Sequence, residues 1–590
     1  MDNVRAHVSE AAAANIGKWL TEPKYEAFRA DLESMIAKEQ WQALEDAFFM
    51  QIEFGTGGIR GTTGIGSNRI SKITIGEATQ ALAQYVTSQH ADAARKGIVI
   101  AYDTRLTSPE LSRYAAEVCA GNGVKAYLFE DFRSTPELSF AVRHLSAAAG
   151  IVISASHNPP ADNGFKAYLS DGGQLVPPHD KEIIALAKGV ERIDTLAYDI
   201  AVDNGMIELI GAEVDDAYVR AVAVQAVGTE RGVDIVYSPL HGAGSTNTLK
   251  VLQSTGFAVS TVEAQMVPDG NFPTIENGKP NPEEPAANDR AVAQMLAHDA
   301  DIAITNDPDA DRIGVVVRQG DVPEYLNGNQ TATLATEFAL RKLSEAGTLS
   351  PKHFIGKTIV TTDMMKAVAD RYGVKTYGDM LIGFKYIGEL LLEKEGTDET
   401  FVIGGEESYG LLKGDYARDK DGAVGALVLA EYAAELKRDG KTLFDRMLEL
   451  YGEYGLYVER LDTIVCPGAK GFEQMRSIMG RLRSDPPRNV AHHHVSAVSD
   501  YETLKKITTA DGAHTELACR TNGDVIVLEF GDERRRITIR PSGTEPKLKL
   551  YVQWFEDSEE VTSDMRHRYE DTKEMLQSLS RELEGILLEG

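Results

Sequence analysis

One pattern recurs three times in this 590-residue chain, and it limits the possible folds more than any other feature. An apolar strand is followed by a turn, a helix, a glycine and a second strand. The first copy reads GIVIAYD, SPELSRYAAEVCAG, Gly123 and VKAYLF. The second reads VDIVYSP, TNTLKVLQST, Gly256 and FAVSTVE; the third KTIVTT, DMMKAVADRY, Gly373 and VKTYG. Glycine just past each helix suits the left-handed residue that commonly ends one. In the first copy Ser108 is expected to cap the helix and Pro109 to sit in its first turn. Each copy then runs into a further apolar strand and a polar loop: GIVIS into ASHNP, DIAIT into NDPDADR, TFVIG into GEESYG. The repeat is one of pattern, not of letters. It predicts three related α/β units with equivalent polar loops, in the place where ligands of open α/β sheets gather.

The two ends break the pattern. Before residue 50, Trp19, Leu32, Ile36, Trp41, Leu44 and Phe48 recur at helical spacing and read as packing. Near the end, TELACR, DVIVLEF, RRITIRPSG and KLKLYVQW follow closely, and an amphipathic helix is expected from about Asp557. That is an α+β arrangement with hairpin-like spacing. The predicted segments are 1–210, 211–325, 326–455 and 456–590, in line with a prior of roughly 150 residues per domain.

A formal net charge of -29 disfavours nucleic acid and anionic membrane as partners. It also repels an anionic substrate, so a phosphate site needs locally concentrated Lys and Arg. Cys119, Cys466 and Cys519 are few and far apart, which suits a reducing compartment. No signal peptide or spanning apolar run is visible, and the apolar stretch near Ala423 to Leu436 carries Glu431. A cytoplasmic protein is expected.

Asp307, Asp309 and Asp311 alternate in DPDADR. Three carboxylates on one tight loop suit a hard divalent cation. A calcium EF-hand is excluded, because Arg312 and Arg318 stand where its glycine and final glutamate belong. Arg312 beside the carboxylates points to an anionic ligand. Ser156 lies in SASHNP beside His157 and Asn158, without the G-x-S-x-G elbow of a hydrolase. A phosphoryl-carrying serine needs a metal and cations around it, because phosphoserine brings about -1.5 to -2 charges. Arg60, Arg105 and Lys166 are candidates for that field, and a lysine among cations can have a lowered pKa and act as a base. Glu406 and Ser408 suit sugar hydroxyls rather than phosphate; Lys385, Arg418 and Lys420 are placed as rim cations. Arg540, Ser542, Gly543 and Thr544 in RPSGTEP combine a guanidinium, hydroxyls and permissive backbone, a metal-free phosphate grip. Taken singly, each loop also reads as an ordinary turn. No Walker loop is present, and Arg60 takes a glycine place that GxGxxG requires.

The ordered set FGTGGIRG, SASHNPPADNGFK, DPDADR, GEESYG and RPSGTEPKLKLY, spread over nearly the whole chain, resembles the α-D-phosphohexomutases. The long N-terminus is similar to that of their glucose and pentose phosphomutase branch. The resemblance implies three related α/β domains plus a C-terminal α+β domain around a central cleft. In turn, the four segments would carry the phosphoserine, the metal loop, the sugar loop and the phosphate grip. It implies phosphorylated Ser156, and Mg2+ held by Asp307, Asp309, Asp311 and the Ser156 phosphate. Arg60, His157 and Lys166 would assist transfer, with Lys166 the acid/base. Glu406 and Ser408 would bind sugar hydroxyls, and Arg540, Ser542 and Thr544 the phosphate that is not reacting. Two positions depart from the family pattern: Ser154, where threonine is common, and Ile382, where a hydroxyl residue often stands.

The implied activity is interconversion of glucose 1-phosphate and glucose 6-phosphate through a glucose 1,6-bisphosphate intermediate, in a monomer or homodimer. Phosphopentomutase and glucose 1,6-bisphosphate synthase are the neighbouring alternatives within the enzyme class. A non-catalytic sugar-phosphate sensor is the alternative outside it, and the intact Ser156, aspartates and Lys166 speak against that.

Overall fold

Ile98–Tyr102, Ala149–Ile153 and Ile302–Asn306 are strands buried along their whole length. Such runs suit the middle of a mostly parallel sheet covered on both faces. The computed structural model describes residues 1–52, 58–466, 471–542, 546–560 and 564–589, and it sets these strands inside the sheets of the first two of the three repeated units. The first sheet runs Ile59–Thr62, Asp162–Leu169, Ala149–Ile153, Ile98–Tyr102, Ala126–Phe129, Ile207–Ile210. The second runs Val322–Leu326, Ile313–Gln319, Ile302–Asn306, Asp234–Ser238, Ala258–Thr261. The third runs Lys375–Met380, His353–Thr358, Thr400–Glu406, Gly410–Lys413.

The same four strands recur in each. A first strand pairs in parallel with a second and with a loop-bearing strand, and the loop-bearing strand pairs with an antiparallel return. The repeat read from the sequence is therefore one of topology. Gly123, Gly256 and Gly373 have φ of 72°, 94° and 66°, as a residue leaving a helix at this point requires. One expectation fails. Ser108 does not cap its helix; it lies within it, and its hydroxyl donates to Asp103 at 2.7 Å.

The N-terminal segment forms helices at Glu10–Thr21, Glu26–Ala37 and Trp41–Phe48. Trp19, Leu32, Leu44 and Phe48 are buried there together with Ile73 of the first domain, while Ile36 and Trp41 are partly buried. The C-terminal segment holds a seven-stranded antiparallel sheet. Its core pairs Ile526–Phe530, Asp532–Pro541 and Lys547–Glu556, as the sequence suggests. Strands Leu456–Val465, Ala497–Asp500 and Lys505–Thr508 are additions that the sequence pattern does not announce, and of TELACR only Thr515 and Glu516 are strand, at the end of His514–Glu516. Burial does not alternate in the first two: Leu456–Val458 and residues 497–499 are buried in succession, and Leu461 and Val465 are exposed. The last helix is Met565–Glu589, starting later than expected.

One face of this sheet packs on Ile478, Leu482, Leu576 and Leu583 of its helices. On the other, Val525, Val527 and Tyr551 meet Ile359, Leu381 and Ile382 of the third domain. Among the described residues no helix is long and apolar enough to cross a membrane. Helix Gly422–Arg438 buries Glu431 against Arg231 at 2.9 Å.

Candidate functional site

The loop after Ala149–Ile153 carries Ser156 at φ 51°, a left-handed conformation that is unusual for serine. Three neighbours hold it there. Arg105, 1% exposed, donates to the carbonyls of Ser156 (2.5 Å), Asn158 (2.6 Å), Pro159 (2.7 Å) and Asp162 (2.9 Å). Ser154 accepts the Ser156 N–H at 2.8 Å, and Asp103 accepts the Ser154 hydroxyl at 2.6 Å. The expectation that Arg105 supplies positive field to a ligand fails. It is spent on backbone carbonyls and on Asp103, with Nε at 3.2 Å, so it is a clamp.

Ser156 Oγ donates to Asp307 Oδ2 at 2.5 Å, joining the first and second domains as a serine carrier beside a metal loop requires. The carboxylate loop follows Ile302–Asn306, the strand equivalent to the one before the serine loop. Gly242 lies beneath it, where a Cβ would meet Pro308 Cα at 2.3 Å. One oxygen from each of Asp307, Asp309 and Asp311 lies within 4.8 Å of the others, and all three residues are buried. Lys166 Nζ lies 2.6 Å from Asp309 and 3.3 Å from Asp311; Lys420 Nζ lies 2.9 Å from Asp311. Thr135 donates to Asp309 at 2.7 Å. Asp309 Oδ1 and Asp311 Oδ1 are nevertheless buried without a hydrogen-bond donor. Buried acceptors left so are costly, and an all-oxygen set with two idle atoms fits a hard divalent cation.

The electrostatics follow. Burial and the neighbouring Asp309 and Asp311 push the Asp307 carboxyl well up. Burial pushes Asp309 up as well, but Lys166 outweighs it and holds the group below the usual range. Burial pulls Lys166 down, yet Asp309 and Asp311 win and hold its ammonium above the ordinary value. This is the reverse of the lowered pKa expected from the sequence, because carboxylates rather than cations are its nearest neighbours. Burial, then Arg312, Arg60 and Lys549, hold His157 well below its ordinary value, so it is neutral. Its Nδ1 is 3.3 Å from Ser156 Oγ.

A cleft of about 500 Å³ opens over these groups. It is lined by Arg60, Ser156, His157, Lys166, Asp311, Arg312, Glu406, Ser408, Lys420, Arg540 and Ser542, so residues chosen from all four segments meet. Lys385 also lines it, 3.8 Å from Asp180. Arg418 does not: it is 2% exposed and faces Glu395 at 3.4 Å. Gly543 and Thr544 lie outside the described residues. Burial, opposed by Lys420 and reinforced by Glu407, pushes Glu406 up to about 8. A neutral Glu406 both donates and accepts, which suits hydroxyls. Ile382 lines the cleft but packs with Tyr386, Cys519 and Val525, so this position pins the third domain to the fourth.

Sequence reasoning misses several lining groups. Glu283 accepts Arg312 Nη1 at 2.5 Å. Lys549 is the cross-strand partner of Arg540. Arg69 is steadied by the Asp46 carbonyl of the N-terminal helices at 3.0 Å. Only strand alternation, which puts Lys549, Lys547 and Tyr551 on one face, offers a signal.

Comparison with known proteins agrees with this geometry. Four family models match in order: phosphoglucomutase/phosphomannomutase α/β/α domain I over residues 51–193, domain II over 216–320, domain III over 327–454, and the C-terminal domain over 496–566. A phosphoglucomutase from Staphylococcus aureus (strain bovine RF122 / ET3-1) is 35% identical over 525 residues, 87% of this chain and 92% of its own. One from Staphylococcus epidermidis is 33% identical over 514 residues, 85% of this chain and 90% of its own. Among solved structures, a putative phosphomannomutase from Thermus thermophilus aligns with a TM-score of 0.62 at 24% identity, covering 89% of this chain and 99% of that one. The Paramecium phosphoprotein parafusin, in its open form, aligns with a TM-score of 0.64 at 15% identity, covering 90% and 96%. These two support the fold.

Proposed function

As the chain belongs to the phosphoglucomutase/phosphomannomutase family, we propose that it interconverts glucose 1-phosphate and glucose 6-phosphate, with Ser156 as the phosphoryl carrier. The observation that carries this reading is the 2.5 Å contact of Ser156 Oγ with Asp307, in a cleft that also holds Arg60, Arg312, Glu406 and Arg540. Asp307, Asp309, Asp311 and a Ser156 phosphate oxygen would hold Mg2+. When bound, that ion neutralises charge on the transferring group. The idle Asp309 and Asp311 oxygens support this assignment.

In the first transfer, the Oγ–P bond of phospho-Ser156 breaks as phosphorus bonds to the 6-oxygen of glucose 1-phosphate. The protonated Lys166 gives its proton to the released Oγ and regains one from the 6-hydroxyl. The glucose 1,6-bisphosphate so formed turns over in the cleft. The 1-phosphoryl group then passes to Ser156 by the reverse exchange, leaving glucose 6-phosphate. Arg60, Arg312 and the neutral His157 surround the transferring phosphoryl, where positioning and charge matter more than covalent steps. Glu406, Ser408 and Lys420 bind the sugar hydroxyls. Arg540 and Ser542, with Gly543 and Thr544, grip the idle phosphate in either orientation.

The finer assignments are part of the same reading. The segment borders stay near 210, 325 and 455. Three free, buried cysteines support a cytoplasmic setting, and the enzyme is a monomer or homodimer. Activity assayed side by side on glucose 1-phosphate and ribose 1-phosphate, with catalytic bisphosphate and Mg2+, tests the substrate. A higher kcat/KM on the pentose would overturn the glucose assignment.

A further inference from the structure

We propose that Ser154 is a positioning residue for phosphoryl transfer: its hydroxyl, anchored on Asp103, fixes the Ser156 amide and so holds Ser156 in the conformation that points Oγ at Asp307. This rests on the reading of Ser156 as carrier.

The chain of contacts is continuous and dry. Asp103 and Ser156 are 0% and 2% exposed, and Ser154 is 1% exposed. Asp103 Oδ2 accepts the Ser154 hydroxyl at 2.6 Å, leaving the Ser154 oxygen free to accept the Ser156 N–H at 2.8 Å. Asp103 Oδ1 accepts Ser108 Oγ at 2.7 Å and the Arg105 N–H at 3.0 Å. Ser108 Oγ in turn accepts from Asn163 at 3.0 Å. Each of these hydroxyls both donates and accepts, so the direction of the relay is set by the carboxylate at its end. Asp103 also meets Arg105 Nε, and Arg105 spends its remaining nitrogens on the loop's own carbonyls. One buried ion pair therefore grips the loop twice, by its carbonyls through Arg105 and by its amide through Ser154.

The grip has something to oppose. A non-glycine residue at φ 51° persists only where its surroundings over-determine it. The Ser154–Ser156 bond is the contact that ties the Ser156 amide. Without it the backbone can relax and turn Oγ away from the carboxylates. In-line transfer is sensitive to such a turn, since a displacement of about 1 Å can lower rate about a hundred-fold. Substrate binding would be spared, because Arg540, Glu406 and Arg312 lie on other elements.

The test compares Ser154→Ala, Ser154→Thr and Asp103→Asn with wild type. The readouts are steady-state kcat and KM on glucose 1-phosphate, single-turnover transfer from phospho-Ser156, and thermal melting. Ser154→Ala is expected to lower kcat and the single-turnover rate about 10- to 100-fold, with KM within about twofold. Threonine, which keeps the hydroxyl, restores the rate to within about threefold. Asp103→Asn, which keeps volume but removes the charged acceptor that orients Ser154, falls between them. A wild-type transfer rate in Ser154→Ala overturns the proposal, as does a loss that threonine fails to restore. If Ser154→Ala melts too low to assay, the decision passes to Ser154→Val against Ser154→Thr, which match in shape and differ in the hydroxyl, where equal single-turnover rates overturn it. Ser156→Ala is run alongside. If it still turns over, the carrier reading itself has failed; if it is dead while Ser154→Ala is normal, only the positioning role has failed.

Discussion

Two loops in equivalent slots of the first and second domains are held in opposite ways. The serine loop is satisfied from within its own domain. Arg105 takes four of its carbonyls and Ser154 takes the amide of its central residue. The carboxylate loop is left electrically open. Asp309 and Asp311 face Lys166 and Lys420, and one oxygen of each is buried without a hydrogen bond. The contrast separates two requirements of phosphoryl transfer. The reacting oxygen must be fixed before the substrate arrives, because an error in its position costs rate directly. Charge can be completed on binding, and an incomplete site draws in the ion that completes it.

The contrast can be broken at four places. The largest effect belongs to the reacting oxygen. Ser156→Ala should lower mutase turnover by a factor on the order of 10⁴ or more, and intact mass should no longer register an added phosphate. Ordinary turnover would remove the reason for the loop's rigidity.

Next comes the clamp. Arg105→Met keeps bulk but leaves Asp103 buried without its cation, which should lower stability by about 3–5 kcal/mol in urea unfolding. A loss under about 1 kcal/mol would mean the serine loop is not held by Arg105.

The open loop should respond to metal instead. Added Mg2+ at about a hundred times its Kd should stabilise the wild type by about 2.7 kcal/mol, read as a rise in melting temperature that a chelator reverses. Asp309→Asn should lose that response. A wild-type melting curve indifferent to Mg2+ would show that the two loops do not differ as described.

The smallest effect lies in the third equivalent loop. Glu406 is raised to about 8 by burial, so it stays protonated in the fold at pH values where the unfolded chain has released its proton. Its contribution is present below about pH 4.5 and is lost as pH rises towards 8, with a slope of up to about 1.4 kcal/mol per pH unit. Glu406→Gln should flatten stability over that window. Equal slopes in the two proteins would return Glu406 to an ordinary ionised carboxylate.

Much of the site is legible in the sequence because its chemistry is local. Alternating aspartates on a turn announce a cation wherever they end up, and a serine among polar residues after a buried strand announces a reactive loop. The three-fold pattern is legible because strand, helix and glycine each have a short-range signature. Arg105 misleads because its residue type suits the positive field around a phosphoryl group, while its partners Asn158, Pro159 and Asp162 come from the next hairpin. Lys166 takes the opposite sign of shift because distance decides which neighbours dominate, and the aspartates 143 and 145 residues away are the nearest. Ser108 has the residue type of a cap, yet packing turns its hydroxyl towards Asp103.

The sequence alone determined the three-fold strand–helix–strand pattern, the core strands of the last segment and what kinds of groups each polar loop offers, since these depend on neighbours a few residues apart. Only the tertiary structure decided that Ser156 meets Asp307, that Arg105 faces inward and that Glu283 and Lys549 join the cleft. Those outcomes come from how the sheets of the four segments pack together, and burial and charge are properties of that packing rather than of any stretch of chain.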